Sequence, residues 1–212
     1  TLDNGLVVLL SEDRSLPTVT VSVMVGTGSR FEAQGRSGFA HLFEHLMFMG
    51  TERVPTGQFD ELMEAQGAYN NAWTSEDRTY YYSVGPSHAL PLLMWLEADR
   101  LGSLSAAMTQ EKLDAQRAVV KNERRQRVEN KPYGKASLRL PELLYPKGHP
   151  YHHPVIGSHA DLEAASVEDV RAFFAEHYGP DNLILTVVGD FDARSTEERI
   201  RRLFGGLERR AK

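Results

Sequence analysis

At 212 residues the chain can bury one substantial core, or at most two small domains. Its 41% hydrophobic and 25% charged residues are ordinary for a soluble globular protein, and a formal net charge of −5 argues against nucleic acid or an anionic membrane as partner. The absence of cysteine excludes disulfides, zinc–thiolate sites and a thiol nucleophile, and no apolar run reaches the length of a membrane span.

In chain order, the turn signal Asp3-Asn4-Gly5 leads into an apolar run, Leu6–Leu10, that reads as a strand. Thr18–Val25 alternates β-branched and small polar residues, a second strand, and the tight connection between the two predicts antiparallel pairing. Ser37 is the expected N-cap of a helix running to about Met49 and stopped by Gly50. A short helix over Gln58–Gln66 precedes two strands rich in aromatic and β-branched residues, Tyr69–Thr74 and Thr79–Val84. Helical patterns follow over His88–Leu101, Thr109–Glu129 and Lys135–Leu144. The segment 146–157 has turn composition. A helix over Val167–Tyr178, a strand over Leu183–Val188 and a helix over Thr196–Phe204 complete the chain. Strands at the start, middle and end with helices grouped between them predict one α+β (mixed α/β) domain, 1–212, with helices packed on a mixed, mainly antiparallel sheet.

The stretch GFAHLFEHLMFMGT (38–51) places His41, Glu44 and His45 within an otherwise apolar helix. At about 100° per residue, these three share an arc of about 100°, while Phe39, Leu42, Phe43 and Leu46 occupy the other side. The ionisable groups are thus spared burial in the apolar core. Histidines at i and i+4 can grip one tetrahedral zinc ion, and a glutamate beside them can take a proton from metal-activated water. H-x-x-E-H is the reversed metallopeptidase motif of the inverzincins. A third ligand must then come from elsewhere as His, Asp or Glu. The helix 109–129 offers Glu111, Asp114, Glu123 and Glu129. Glu123 is favoured because it follows Val119 and Val120, which are expected to face the core, although a surface pair with Arg127 would also account for it. His149, His152 and His153 lack helical spacing and read as loop groups, and His88, His159 and His177 as helix-end residues.

GFAHLFEHLMFMGT, GAYNNAWTSEDRTYYY (67–82), QRAVVKNERRQRVENKPYG (116–134) and NLILTVVGDFD (182–192) occur in an order that resembles the N-terminal half of the pitrilysin/insulysin/mitochondrial processing peptidase family. The resemblance covers nearly the whole chain. It implies one zinc ion per chain on His41, His45 and Glu123, with Glu44 as the base. Seven residues before Glu123, where many members have an assisting glutamate, stands Gln116, so that contribution is expected to be weak or absent. Asn71-Ala72 resembles the family's pair on an edge strand that receives an extended peptide, and Phe48 and Tyr81 are further candidates to line the cleft.

The resemblance implies an endopeptidase domain acting on peptides or unfolded polypeptides. It also implies a second homologous half, on the same or another polypeptide, absent from this chain, which ends where one half would end. A non-catalytic subunit of a larger complex, and a metal-binding half inactive without its partner, are the alternatives. Likeness to exported bacterial members implies the periplasm, with the cytoplasm as the alternative.

Overall fold

The computed structural model describes residues 1–209. Five strands, β1 (Val7–Glu12), β2 (Thr18–Val25), β3 (Tyr69–Thr74), β4 (Thr79–Pro86) and β5 (Leu183–Gly189), form one sheet in the order β1-β5-β2-β4-β3. β1 and β5 are parallel and the other pairs antiparallel, which makes the sheet mixed and mainly antiparallel.

The hairpin expected between β1 and β2 is not formed. β5, from the far end of the chain, lies between them and pairs with both. Its end is tied in by Asp13 N to Gly189 O at 2.8 Å and Asp190 N to Thr18 O at 2.9 Å. Gly189 is needed there: it has φ +125°, and a Cβ would lie 2.1 Å from Thr18 O. A well-buried apolar face outcompetes a short local hairpin, since β5 brings Leu183, Leu185 and Val187 into the core.

Among the described residues there are eight α-helices: α1 (Phe39–Leu46), α2 (Gln58–Glu64), α3 (Leu90–Ala107), α4 (Gln110–Arg124), α5 (Gly134–Leu144), α6 (His159–Glu163), α7 (Val167–His177) and α8 (Ala193–Phe204). α6 had no counterpart in the sequence reading, and α3 runs further than expected, through Gly102. The predicted helix 109–129 is α4 followed by a π-helical turn, Arg125–Glu129, with Asn130 N bonded to Arg125 O at 2.8 Å. No described helix is long and apolar enough to cross a membrane.

Ser37 does not cap α1. The N-cap is Gly38 at φ +88°, where a Cβ would meet Ile156 O at 2.8 Å, and the open helix N–H groups of Gly38 and Ala40 donate to Glu32 at 2.9 and 2.8 Å. Ser37 is drawn instead to Asp161. A carboxylate six residues upstream thus satisfies the helix start, with no local spacing to announce it.

Phe43 is buried by Phe173, Phe174 and Tyr178, with ring centroids 4.4–5.7 Å away. Phe43→Ala is expected to lower unfolding stability by about 3–5 kcal/mol in urea titration, whereas Leu140→Ala on exposed α5 should change it by less than about 0.5 kcal/mol.

Candidate metal centre

α1 delivers its apolar residues and its two histidines as the wheel implies, but Glu44, expected to be spared burial, is buried as well. Phe39, Leu42, Phe43 and Leu46 are buried in the core, and His41 and His45 stand on the other side with ring centroids 4.9 Å apart. α4 packs across α1 and brings in Glu123, whose Oε2 lies 3.2 Å from His45 Nε2 and 3.6 Å from His41 Nε2. One donor atom from each of the three residues falls within 4.8 Å of the others. Of the four carboxylates offered by α4 and the turn after it, geometry brings Glu123 to the histidines.

The pair of Glu123 with Arg127 and its approach to the histidines coexist. Its Oε1 pairs with Arg127 Nη1 at 2.7 Å, leaving Oε2 turned inward. Oε2 and His41 Nδ1 are buried, and neither has a hydrogen-bond partner. The 3.2 Å approach of His45 is therefore a close electrostatic contact without hydrogen-bonding angles. A buried carboxylate oxygen without a donor is costly to desolvate, and two imidazole nitrogens and one carboxylate oxygen converging on a common point suit a divalent ion such as zinc, leaving a position open. The donor set fits that ion.

Charge states agree. Burial pushes His41 down to about 4, assisted by His45 and Arg127 and opposed by Glu123, so its ring stays neutral and able to ligate at neutral pH. The close contact of His45 holds Glu123 below its usual carboxylate range against its burial, with His41 and Arg127 adding to the effect. Glu44 is shifted up by burial, against the hydrogen bond it accepts from Thr74 Oγ1 at 2.5 Å. A carboxylate raised in this way is a stronger proton acceptor than an exposed one.

These groups open on a cleft of about 380 Å³. Asn71, Ala72, Trp73 and Thr74 of β3 form one wall, and Val119, Glu123 and Arg127 the other. β3 is an edge strand, paired on one side with β4. Ala72 N donates to its neighbour's side chain, Asn71 Oδ1, at 2.8 Å. Of the two valines expected in the core, Val120 is there, while Val119 is 47% exposed and lines the cleft.

Phe48 is not brought to the cleft. It packs edge-on against Phe59 at 5.7 Å and near Tyr81 at 6.1 Å, with the Arg100 guanidinium 5.0 Å from its ring. Tyr81 is buried and shares a 2.8 Å hydroxyl hydrogen bond with Tyr178. Gln116 Nε2 sits 2.7 Å from Met49 Sδ, away from the cleft. His149 stacks on Tyr145, His152 Nδ1 is 2.8 Å from Tyr145 O, His153 faces Glu32, and His159 Nε2 lies 2.8 Å from Glu129.

Thr74 and the orienting role of Arg127 were missed from sequence. The signal for Thr74 was the two-residue period of β3, which puts it on the same face as Ala72.

The layered arrangement of helices on a five-stranded mixed sheet is that of pitrilysin-family half domains. The chain belongs to the insulinase family, peptidase family M16: residues 7–149 match its family model, and residues 164–212 match that of the peptidase M16 inactive domain. Both segments supply strands to the one sheet. The chain is 34% identical over 209 residues to zinc protease PqqE of Helicobacter pylori, covering 98% of this chain and 46% of that protein. It is 29% identical over 211 residues to cytochrome b-c1 complex subunit 1 of Bos taurus, covering 97% and 42%. Among solved structures, a protease from Helicobacter pylori superposes with a TM-score of 0.94 at 33% identity, over 100% of this chain and 50% of that one. The first half of the periplasmic protease PqqL from Escherichia coli gives 0.88 at 26% identity, over 100% and 47%. The chain thus spans about half the length of the curated relatives it matches.

Arg127→Met frees Glu123 Oε1 and should weaken zinc binding by about 10–100-fold in a chelator-competition titration, with the fold intact. In the metal-free chain, His41 is held below the 6.5 of a free imidazole, so between pH 6.5 and 4 the unfolded state binds a proton that the folded state refuses. The neutral ring's contribution is complete above pH 6.5 and is lost as pH falls towards 4, a change on the order of 3 kcal/mol. Urea unfolding across that range should show this slope, and His41→Asn should flatten it.

Proposed function

We propose that this chain is the zinc-binding, catalytic half of an endopeptidase that hydrolyses extended peptides or unfolded polypeptides, organised as a single domain over 1–212. The observation that carries this reading is the inward-turned Glu123 Oε2 meeting the His41–His45 pair, with Glu44 beside them over an open cleft. His41, His45 and Glu123 would hold one zinc ion. When bound, zinc supplies a Lewis acid that polarises the scissile carbonyl and lowers the pKa of water.

The protein's own residues do the remainder. Glu44, fixed by Thr74, takes the proton from the attacking water and returns it to the leaving amine. The β3 edge accepts the substrate backbone as an added strand, which needs no particular side-chain sequence. In that pose the substrate's carbonyl replaces Asn71 Oδ1 as acceptor for the Ala72 N–H, and the small Ala72 permits close approach. Arg127 keeps Glu123 oriented throughout.

The relatives are about twice as long, which supports a second homologous half that completes the substrate chamber. The periplasm is the proposed compartment, in keeping with the Escherichia coli neighbour described as periplasmic. A subunit without catalytic activity is the competing reading, favoured by the cytochrome b-c1 relative. The complete donor set and its adjacent carboxylate support the enzyme.

Zinc content and cleavage of an unstructured peptide should be measured for the wild-type chain and Glu44→Gln, alone and with the second half. One zinc in both proteins is expected, with cleavage by wild type only and at least about 10³-fold faster than the variant once the second half is present. Zinc without cleavage, even with both halves assembled, would leave the non-catalytic subunit. Failure to bind zinc at neutral pH would overturn the reading altogether.

A further inference from the structure

α5 is inverted for a surface helix. At about 100° per residue, Ala136, Leu140, Leu143 and Leu144 share an arc of about 100°. An apolar stripe of this kind ordinarily faces the core. Yet α5 has no buried residue, and Leu140 is 54% exposed, Leu143 69% and Leu144 65%. Its other side, with Lys135, Leu138, Arg139 and Glu142, turns to Arg124 and Glu129 across a cavity of about 390 Å³. The charged side therefore faces the protein, and the leucines face solvent.

Tyr133, the N-cap residue of α5, adds an aromatic ring that is 92% exposed. Among the described residues it is the one non-glycine at positive φ, 59°. With its ring in water it gains no packing that would offset this strained backbone, and such strain gathers where ligands are held.

The position of α5 says which ligand. Val119, Glu123 and Arg127, spaced four apart, form the helical wall of the cleft. Arg127 lies in the π-helical turn, and α5 packs against that turn. The wall that carries the third donor thus leads into α5. Leucines exposed beside a peptide cleft offer one chemistry, apolar contact with side chains that a folded protein buries and an unfolded chain exposes.

We infer that the apolar face of α5 is a substrate-holding surface continuous with the cleft, selecting extended polypeptides that carry leucine-like side chains beyond the segment paired with β3. This rests on the reading of the cleft as a peptide site. Main-chain pairing at the β3 edge is indifferent to side chains, and α5 supplies the preference which that edge lacks.

The test uses the complete protein, with both halves, carrying Glu44→Gln so that peptide is bound without being consumed. Leu143→Cys adds a thiol to a chain that has none. Its labelling by N-ethylmaleimide is read by mass spectrometry of its own peptide, with circular dichroism verifying the fold. Two fluorescent unstructured peptides of about 20 residues are compared, one bearing leucines and one with serine in their place, long enough to span cleft and helix. By anisotropy the leucine peptide should bind about 10-fold more tightly. At about ten times its Kd it should slow labelling about 10-fold, whereas the serine peptide at the same multiple of its own Kd should not. Leu140→Gln together with Leu144→Gln should bring the two peptides to equal affinity.

Binding of the leucine peptide without protection of the thiol would overturn the inference and leave the peptidase reading intact. Protection before any peptide is added would also overturn it, because the occupant is then the second half or, where protection grows with concentration, a second copy. Selective binding and protection, with neither peptide cleaved when Glu44 is restored, would support the inference while the peptidase reading failed.

Discussion

The rotation of α1 about its own axis is the constraint on which the rest depends. Leu42, Phe43 and Leu46 are buried against the sheet and α7, and once they are seated His41, Glu44 and His45 have one direction left to face. Close packing makes that rotation stiff, because turning the helix by one residue would expose a phenylalanine and bury an imidazole. Core packing and site geometry are thus one fact seen from two sides of an eight-residue helix. Glu32 and the left-handed Gly38 hold its first turn, so the element that aims the donors is restrained at its start as well as along its face.

A second layer of positioning comes from residues that only touch the donors. Arg127 occupies one oxygen of Glu123 and directs the other inward, and Thr74 holds Glu44. Arg127 lies in the π-helical turn that follows α4, where the backbone register slips just past Glu123. Such turns are frequent at functional sites, and here the slip falls among the residues that orient the third donor. The desolvation that makes these polar groups costly also keeps His41 neutral and raises Glu44, so burial and charge state favour the same chemistry.

The two faces of the sheet divide the labour. The inner face and its helices make the core and aim the donors, the β3 edge faces the cleft, and the uncharged outer face reaches the cleft only at its β3 rim, through Asn71 and Trp73. This layering also explains why residues 164–212, which match a different family model from residues 7–149, are inseparable from them: β5 lies inside the sheet, between β1 and β2.

Local pattern carried much of this. The wheel of α1, the i, i+4 histidines with their glutamate, and the extents of β2, β3 and β4 were legible because each rests on periodicity within one element. Glu123 was legible only as one of four carboxylates until the resemblance singled it out, since which of them meets α1 depends on how two helices cross. Phe48 was placed in the cleft by its closeness to the motif, but it lies beyond the last turn of α1 and is captured by Phe59, Tyr81 and Arg100. The β1–β2 hairpin failed for the same reason at larger scale: a strand more than 150 residues away inserts between the two and pairs with both. The amino-acid order by itself determined which residues could ligate, act as base or form strands, because those are properties of side chains and short-range spacing. Tertiary structure alone decided which carboxylate meets the two histidines, which strand fills the sheet and which face is left bare, because those depend on contacts between elements distant in the chain.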